Sequence, residues 1–295
     1  MPELPDITVY LEQLERRIVG QRLEKLVIAK PFVLRTFDPP VSQLGGTVVR
    51  GVRRMGKRIV LEMDDERFAV IHLMIAGRLK WRAVSEKLPP KGSILAIFHF
   101  ATGVLVLTEA GTARRASLHL VQGAAGLRDF DRGGLEVLSA TLDEFSRRLT
   151  SENHTLKRAL ADPRLFSGIG NAYSDEILHR ARLSPVKLTR RIGAEEIARL
   201  YEATRATLVE WTQRLREKAG ENFPEKVTAF HDEMAVHGRF GEPCRVCEAT
   251  VQRIRYASNE TNYCARCQTG GRLLADRALS RLLGKDWPKS IDDIE

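Results

Sequence analysis

The sequence predicts an α+β chain of several domains. A helix and a β-sandwich or barrel come first, then an all-helical stretch, then a small ribbon built on cysteines. Three observations carry this. Short apolar segments divided by turn residues fill the chain up to about residue 121. From about residue 132 the apolar spacing becomes that of helices. All four cysteines fall in two Cys-x-x-Cys pairs near the C-terminus.

In chain order, Ile7, Leu11, Leu14 and Ile18 recur at helical spacing between Pro5 and Gly20, giving one amphipathic helix with a glycine stop. Strands are expected over residues 22–30, 47–54, 58–63, 68–73, 78–84, 94–100 and 104–108. Pro39-Pro40, Gly45-Gly46, Asp64-Asp65, Pro89-Pro90 and Thr102-Gly103 separate them. So many short strands in succession favour a sandwich or barrel over alternating βαβ units. A boundary falls at Asp131-Arg132-Gly133-Gly134. Beyond it, Thr141 and Glu144 make a capping box for a first helix, and a second covers 155–161. Asn171 caps a third over 172–181, and Ile197, Leu200, Tyr201, Leu208, Trp211 and Leu215 line a long fourth that ends near Gly220. A polar link leads to the cysteines, and residues 272–283 read as a short helix before a polar tail.

At 295 residues, 43% hydrophobic and 29% charged, the composition is that of an ordinary globular protein of two or three domains. No run approaches the apolar length of a membrane span, and no basic segment with an apolar core opens the chain. A cytoplasmic, reducing location is therefore expected, on the nucleoid if the partner is DNA. Lys plus Arg number 47 against 38 Asp plus Glu, a net charge of +9. This surplus favours a polyanion, since each phosphate contact releases condensed counterions. The pairs Arg53-Arg54, Lys57-Arg58, Arg114-Arg115 and Arg190-Arg191 contribute, though any one alone is ordinarily a solvated surface.

Three stretches carry chemistry. Met1-Pro2-Glu3-Leu4-Pro5-Asp6 places two prolines just before a helix. If Met1 is removed, Pro2 becomes a secondary amine able to attack an aldehydic carbon, with Glu3 beside it to move a proton. A reference pKa of about 7.7–8.0 leaves roughly a tenth of such an amine neutral near pH 7. The alternative is that both prolines merely stiffen the start, with Pro5 at the first helical position. Cys244-Arg245-Val246-Cys247 and Cys264-Ala265-Arg266-Cys267 have the spacing of a zinc site, with sixteen residues between them for a hairpin. Four thiolates leave no open position, so one structural Zn2+ is expected; disulfides or redox cysteines are the alternatives. Arg253, Arg255 and Arg266 in this ribbon suit a strand-like probe of DNA. Finally, Gly168-Ile169-Gly170-Asn171 feeds a helix N-terminus, which is either a phosphate site or a tight interhelical turn.

Taken together, Met1-Pro2-Glu3-Leu4-Pro5, the Gly56-Lys57 step, His72-Leu73, Gly168-Ile169-Gly170-Asn171-Ala172-Tyr173, the run from His237 to Cys244 and that from Tyr263 to Gln268 resemble the formamidopyrimidine-DNA glycosylase/endonuclease VIII family. The resemblance covers roughly residues 1–268. It implies a catalytic helix and β-sandwich domain at 1–131, a helix–two-turn–helix domain at 132–222, a zinc-ribbon region at 223–270 and a tail at 271–295. The implied activity is a monomeric DNA glycosylase and abasic-site lyase acting on double-stranded DNA with a damaged base or abasic site. By the match, Pro2 attacks the sugar C1′ of a flipped nucleotide, Glu3 shuttles protons and Lys57 supports the chemistry from a phosphate. His72, Lys157 and Asn171 align with residues that grip phosphates. Read without the match, His72 is a core histidine and Lys157 an ordinary surface lysine.

Departures from the family gather where it reads its lesion. Asp6 stands where a Glu is usual, and Ile75 where a void-filling Met is frequent. Arg114-Arg115-Ala116-Ser117 replaces Arg-Arg-Phe-Gly, and Asn259 falls where a finger Arg is usual. The segment 220–230 does not resemble the loop that covers 8-oxoguanine. The expected function is thus excision of damaged bases other than 8-oxoguanine, followed by strand cleavage. The rivals are a lyase with little base excision and a non-catalytic DNA-damage-binding protein.

Overall fold

The computed structural model describes the chain except Thr112, Ala113, Lys226, Ala229, Ala257, Ser258 and Glu295, and except the side chains of Tyr256, Asn259, Arg277, Ala278 and Leu279. Residues 1–132 and 211–229 form one compact unit, and 133–210 with 230–295 a second.

The first unit opens with α1 (Leu4–Ile18). Ile7, Tyr10, Leu14 and Ile18 are fully buried, and their spacing keeps them on one helical face. Leu11, expected in this stripe, is only half-buried, because Tyr10 takes the inner position. The helix start is closed by a reciprocal pair of hydrogen bonds. The Glu3 N–H donates to Asp6 Oδ2 at 2.8 Å, and the Asp6 N–H donates to the Glu3 carboxylate. Only 2% of Glu3 and 1% of Asp6 is exposed. The shorter acid at position 6 therefore serves the helix cap, where a three-residue reach suffices.

Eight strands follow: β1 (Leu23–Ile28), β2 (Val49–Met55), β3 (Arg58–Met63), β4 (Arg67–His72), β5 (Gly77–Ala83), β6 (Ile94–Phe100), β7 (Gly103–Glu109) and β8 (Ser117–Gln122). They form two antiparallel sheets, ordered β1-β6-β7-β5 and β2-β3-β4-β8. The seven expected strands are all present; β8 is additional, a short strand turning Leu118 and Leu120 inward. Leu79, Phe98, Leu105 and Leu107 of one sheet share a core with Ile59, Leu61, Ile71 and Leu120 of the other and with α1. Two sheets over one core make a sandwich, which settles the choice against a barrel. A short helix α2 (Gly123–Arg128) covers the outer face of the second sheet, where Leu127 meets Val60, Val70 and Val121. This is why β3 buries three residues in a row, Ile59, Val60 and Leu61.

The second unit holds α3 (Leu142–Thr150), α4 (Leu156–Ala161), α5 (Asn171–Arg180) and most of α6 (Ala194–Ala219). The Thr141/Glu144 capping box is present, and Thr155 caps α4. The cap of α5 is Gly170 instead of the expected Asn171, which is the first helical residue. A hairpin of β9 (Val251–Tyr256) and β10 (Asn259–Cys264) spans the interval between the cysteine pairs, followed by α7 (Ala265–Thr269) and α8 (Arg277–Leu283). The last helix starts five residues later than expected, because Leu273 and Leu274 donate their N–H groups to Lys289 O and Tyr263 Oη. The polar link after α6 is also more than a link. Phe223 and Val227 enter the sandwich core, Phe223 lies 5.6 Å from Tyr10 ring to ring, and Glu225 pairs with Arg82. No helix among the described residues is long and apolar enough to cross a membrane.

Replacing Asp6 by Ala removes the acceptor for a buried N–H and should cost about 1–2 kcal/mol in urea unfolding. Asp6→Asn, which keeps an acceptor oxygen, should lose less; equal stability of all three proteins would show that the cap holds nothing.

Candidate active site and nucleic-acid interface

In the first unit, the helix cap fixes the residues ahead of it. Pro2 is buried beside Glu3. Burial lowers the pKa of the chain's amino group below its usual 8.0, and the nearby charges of Arg78 and Lys57 act the same way, against Glu3 and Asp6. The amine here is that of Met1; removal of Met1 would expose the nitrogen of Pro2 to the same groups. Lys57 is held by a two-residue hairpin loop, Gly56-Lys57, in which Met55 pairs with Arg58 and Gly56 adopts φ 61°. Glycine at the first loop position suits such a turn.

Two loops of this unit carry the other predicted contacts. His72 ends β4, and its Nδ1 accepts the Met74 N–H at 3.1 Å, which leaves the proton on Nε2. Burial, with Arg58, Lys57 and His119 nearby, lowers its pKa to about 4, so His72 is neutral at pH 7 and carries one N–H. Ile75 is 59% exposed at the tip of a tight turn closed by Gly77 N–H to Leu73 O at 2.8 Å. A Cβ at Gly77 would lie 2.3 Å from that oxygen, so only glycine closes the turn. Arg78 braces it from below, donating to Ile75 O and Gly77 O.

Arg114 and Arg115 are exposed, and the Arg114 guanidinium lies over the Phe32 ring at 5.6 Å. Ala116, expected from the resemblance to stand where a wedging Phe is usual, is fully buried in the sandwich core. The approach to this loop falls partly on Thr112 and Ala113, outside the described residues. One carboxylate oxygen of Glu109 accepts the N–H groups of Arg115 and Ala116 at 2.9 and 3.2 Å, while Glu109 itself pairs with Gly77 across β7 and β5. Glu109 therefore ties both loops to one point. The sequence reading missed Glu109 and Arg78. Glu109 ends a strand as a lone carboxylate before an arginine pair, and that was the available signal.

In the second unit, Lys157 proves to be no ordinary surface lysine. Its Nζ donates to Asn171 O at 2.5 Å and to Asp175 Oδ1 at 2.6 Å, and the other Asp175 oxygen faces His237 Nδ1 at 2.8 Å. The Asp175 side chain is fully buried. Asn171 Nδ2 donates to Glu260 O at 3.0 Å, joining the helix start to β10. Asn259 opens β10 opposite Tyr256, but its side chain lies outside the described residues.

The four cysteines converge. Cys247 Sγ lies 3.3 Å from Cys264 Sγ, and Cys244 Sγ 4.0 Å from Cys267 Sγ. Ligands ~2.3 Å from a tetrahedral zinc stand roughly 3.8 Å apart, so the set fits Zn2+. Burial pushes the Cys267 thiol up to about 12, so a cation is needed to hold it as thiolate. All four thiols being unpaired is the reduced form that metal binding requires. His179 Nε2 of α5 sits 3.3 Å from Cys244 Sγ, placed to donate to a ligand thiolate. Among the predicted residues, then, Pro2, Glu3, Lys57, His72, Ile75, Arg114 and Arg115 belong to one unit. Lys157, Asn171 and the cysteines belong to the other.

Residues 1–115 match the formamidopyrimidine-DNA glycosylase N-terminal domain and 135–217 the H2TH domain of the same glycosylase. Residues 241–270 match the zinc finger found in FPG and IleRS. The formamidopyrimidine-DNA glycosylase of Heliobacterium modesticaldum is 30% identical over 280 residues, spanning 91% of this chain and all of the relative. That of Desulfitobacterium hafniense is 29% identical with the same coverage. A crystal structure of the Lactococcus lactis enzyme bound non-covalently to DNA with an abasic site superposes at TM-score 0.77 with 25% identity, covering 90% of this chain and 99% of that one. A complex of the wild-type Lactococcus lactis enzyme with DNA containing an oxidized pyrimidine gives 0.78 with 26% identity, covering 91% of this chain and 100% of that one.

The depressed His72 makes a pH prediction. Between pH 6.5 and about 4 the unfolded chain binds a proton there that the folded chain refuses, so folding stability falls as pH drops through this window. His72→Gln should remove about 1–3 kcal/mol of that loss. Urea unfolding of both proteins at pH 6.5, 5 and 4 checks this; parallel losses in the two would refute it.

Proposed function

The chain belongs to the formamidopyrimidine-DNA glycosylase family, and from that premise we propose that Pro2 is its nucleophile and Glu3 its proton shuttle. The protein is a DNA glycosylase with abasic-site lyase activity, working as a monomer on double-stranded DNA that holds a damaged base or an abasic site. It binds one structural zinc, which we assign to the clustered Cys244, Cys264 and Cys267 together with Cys247, 3.3 Å from Cys264; such an ion contributes no reactive position. Residues 1–131 are the catalytic domain in this reading, 132–222 the helix–two-turn–helix domain, 223–270 the zinc-ribbon region and 271–295 the tail. It would work in the cytoplasm, on the nucleoid.

Loss of Met1 leaves Pro2 as a secondary amine. Its nitrogen attacks C1′ of the damaged nucleotide, the bond from C1′ to the base breaks, and the base leaves with a proton. The ring oxygen then takes a proton from Glu3, the sugar opens, and nitrogen and C1′ share an iminium. Loss of a C2′ proton allows the C3′–O bond to break, which cuts the strand; water then returns the sugar aldehyde and frees Pro2. Lys57 holds a phosphate beside this centre, and His72, Arg114 and Arg115 hold others, while Ile75 wedges into the duplex. From the second unit, Lys157, Asn171 and Asn259 would face the backbone. The observation that carries this reading is the buried Pro2-Glu3 step, capped by Asp6 and under the charges of Lys57 and Arg78. Burial favours the neutral, nucleophilic amine, as Arg78 and Lys57 also do, and outweighs the opposing pull of Glu3 and Asp6.

Borohydride should trap this protein covalently on abasic DNA. A form extended at the N-terminus should give at least about 100-fold less adduct, since moving the amine away costs several kcal/mol of barrier, and Pro2→Gly, which keeps a primary amine at that place, should give less adduct than the parent. Undiminished trapping by both would rule out Pro2.

The lesion is where this chain departs from its relatives. With Ala116 sunk in the core, no aromatic at that position can stack in the duplex. Stacking is worth ~1–3 kcal/mol per base, so recognition shifts away from the family pattern, and we assign a lesion other than 8-oxoguanine. The same observation favours a second reading, in which abasic sites are processed with little base excision. Purified protein should release 8-oxoguanine opposite cytosine at least about tenfold more slowly than it nicks abasic DNA; comparable rates would defeat both.

A further inference from the structure

The tail lies past the last family match, which ends at residue 270. Its sequence reads as a short helix and a polar end, yet the structure folds it onto the ribbon. The chain doubles back on itself: Leu273 N–H donates to Lys289 O and Ile291 N–H to Gly271 O, both at 2.8 Å. This return delivers Ile291, fully buried, and Leu273 into one apolar cluster with Val251, Ile254, Tyr263 and the thiols of Cys244 and Cys264. Tyr263 Oη accepts the Leu274 N–H at 2.8 Å. The tail thus shares the core of the metal-binding ribbon.

One contact points to a role beyond packing. The hairpin has two strands only, β9 and β10, and such a hairpin is marginal in water by itself. Among the described residues no third strand runs along β9, whose outer edge is met at Val251 by the backbone of Gly241 and Glu242 and needs a second contact nearer its tip. Asp276 closes that edge. Its Oδ2 accepts the N–H of Arg255 at 2.7 Å, and only 2% of the residue is exposed. The backbone carbonyl of Asp276 also accepts the Ser280 N–H, so the same residue starts α8 beside β9. Arg255 is an exposed cation of this strand, and Arg253, two residues back, lies with its guanidinium 4.0 Å from the Phe240 ring.

We propose that residues 271–293 are a brace that sets the β9–β10 hairpin for contact with duplex DNA, with Asp276 as the positioning residue. The carboxylate holds the strand near Arg255 in one register, so the hairpin presents its arginines to phosphates without first having to order them. The inference rests on the glycosylase reading for its partner.

The test uses the zinc-loaded full chain and a duplex carrying a tetrahydrofuran abasic analogue. Asp276→Ala should weaken binding about tenfold by fluorescence anisotropy, the scale of one charged hydrogen bond. Its zinc content and its trapping endpoint at saturating abasic DNA should match the parent protein, and Asp276→Asn, which keeps the acceptor, should bind within about threefold of it. A purely structural role would lower melting temperature without this split between binding and trapping. Parent-like affinity of Asp276→Ala overturns the proposal. Should that variant misfold, the unmutated protein decides by hydrogen exchange. An Arg255 amide protected like the ribbon core supports the brace, and exchange at the rate of an open strand edge refutes it. A parent protein that binds the duplex but traps no abasic DNA would sink the glycosylase reading while leaving these binding and exchange comparisons intact.

Discussion

The reciprocal cap between Glu3 and Asp6 is the constraint on which the start of the first unit depends. Two buried carboxylates are expensive to desolvate, and here each accepts a backbone N–H at a helix start, where the dipole favours negative charge. The cap does more than start a helix. It joins the first residues of the chain to α1, and α1 is rooted in the sandwich by Ile7, Tyr10, Leu14 and Ile18. A chain end would ordinarily fray. This one is held and buried, and that burial, helped by Arg78 and Lys57 against Glu3 and Asp6, lowers the amine's affinity for its proton.

In the second unit the corresponding anchor is α5. Within ten residues it supplies Asn171 to β10, Asp175 to Lys157 and His237, Glu176 to three successive N–H groups at 235–237, and His179 to the Cys244 thiol. The turn at 168–171 and the cysteine knuckles are therefore tied to one helix. Lys157 Nζ lies 2.6 Å from the buried Asp175 carboxylate, so this side chain is aimed rather than mobile.

The two loops expected to read DNA obey the same economy of anchoring. Gly77 closes the turn that exposes Ile75, Arg78 braces it, and Glu109 ties it to the loop of Arg114 and Arg115. Ala116 is folded inward, and beside it Arg114 rests on Phe32, so the exposed part of this loop is charged rather than aromatic.

Periodicity and punctuation determined much of this protein without any structure. The amphipathic first helix, seven of the eight sandwich strands, the Thr141/Glu144 box and the paired cysteines are all local patterns, and local patterns survive in a linear reading. The motifs from Pro2 to Gln268 carried the family as well. Tertiary structure alone decided the rest. It chose the sandwich over the barrel, gave Asp6 to the cap, moved the α5 cap from Asn171 to Gly170, and turned a polar link into a core segment through Phe223 and Val227. It also joined Asp175 to His237 across 62 residues and Asp276 to Arg255 across 21. A carboxylate's partner depends on which distant N–H or cation the folded backbone brings within hydrogen-bond reach, and nothing in the spacing of residues along the chain encodes that distance.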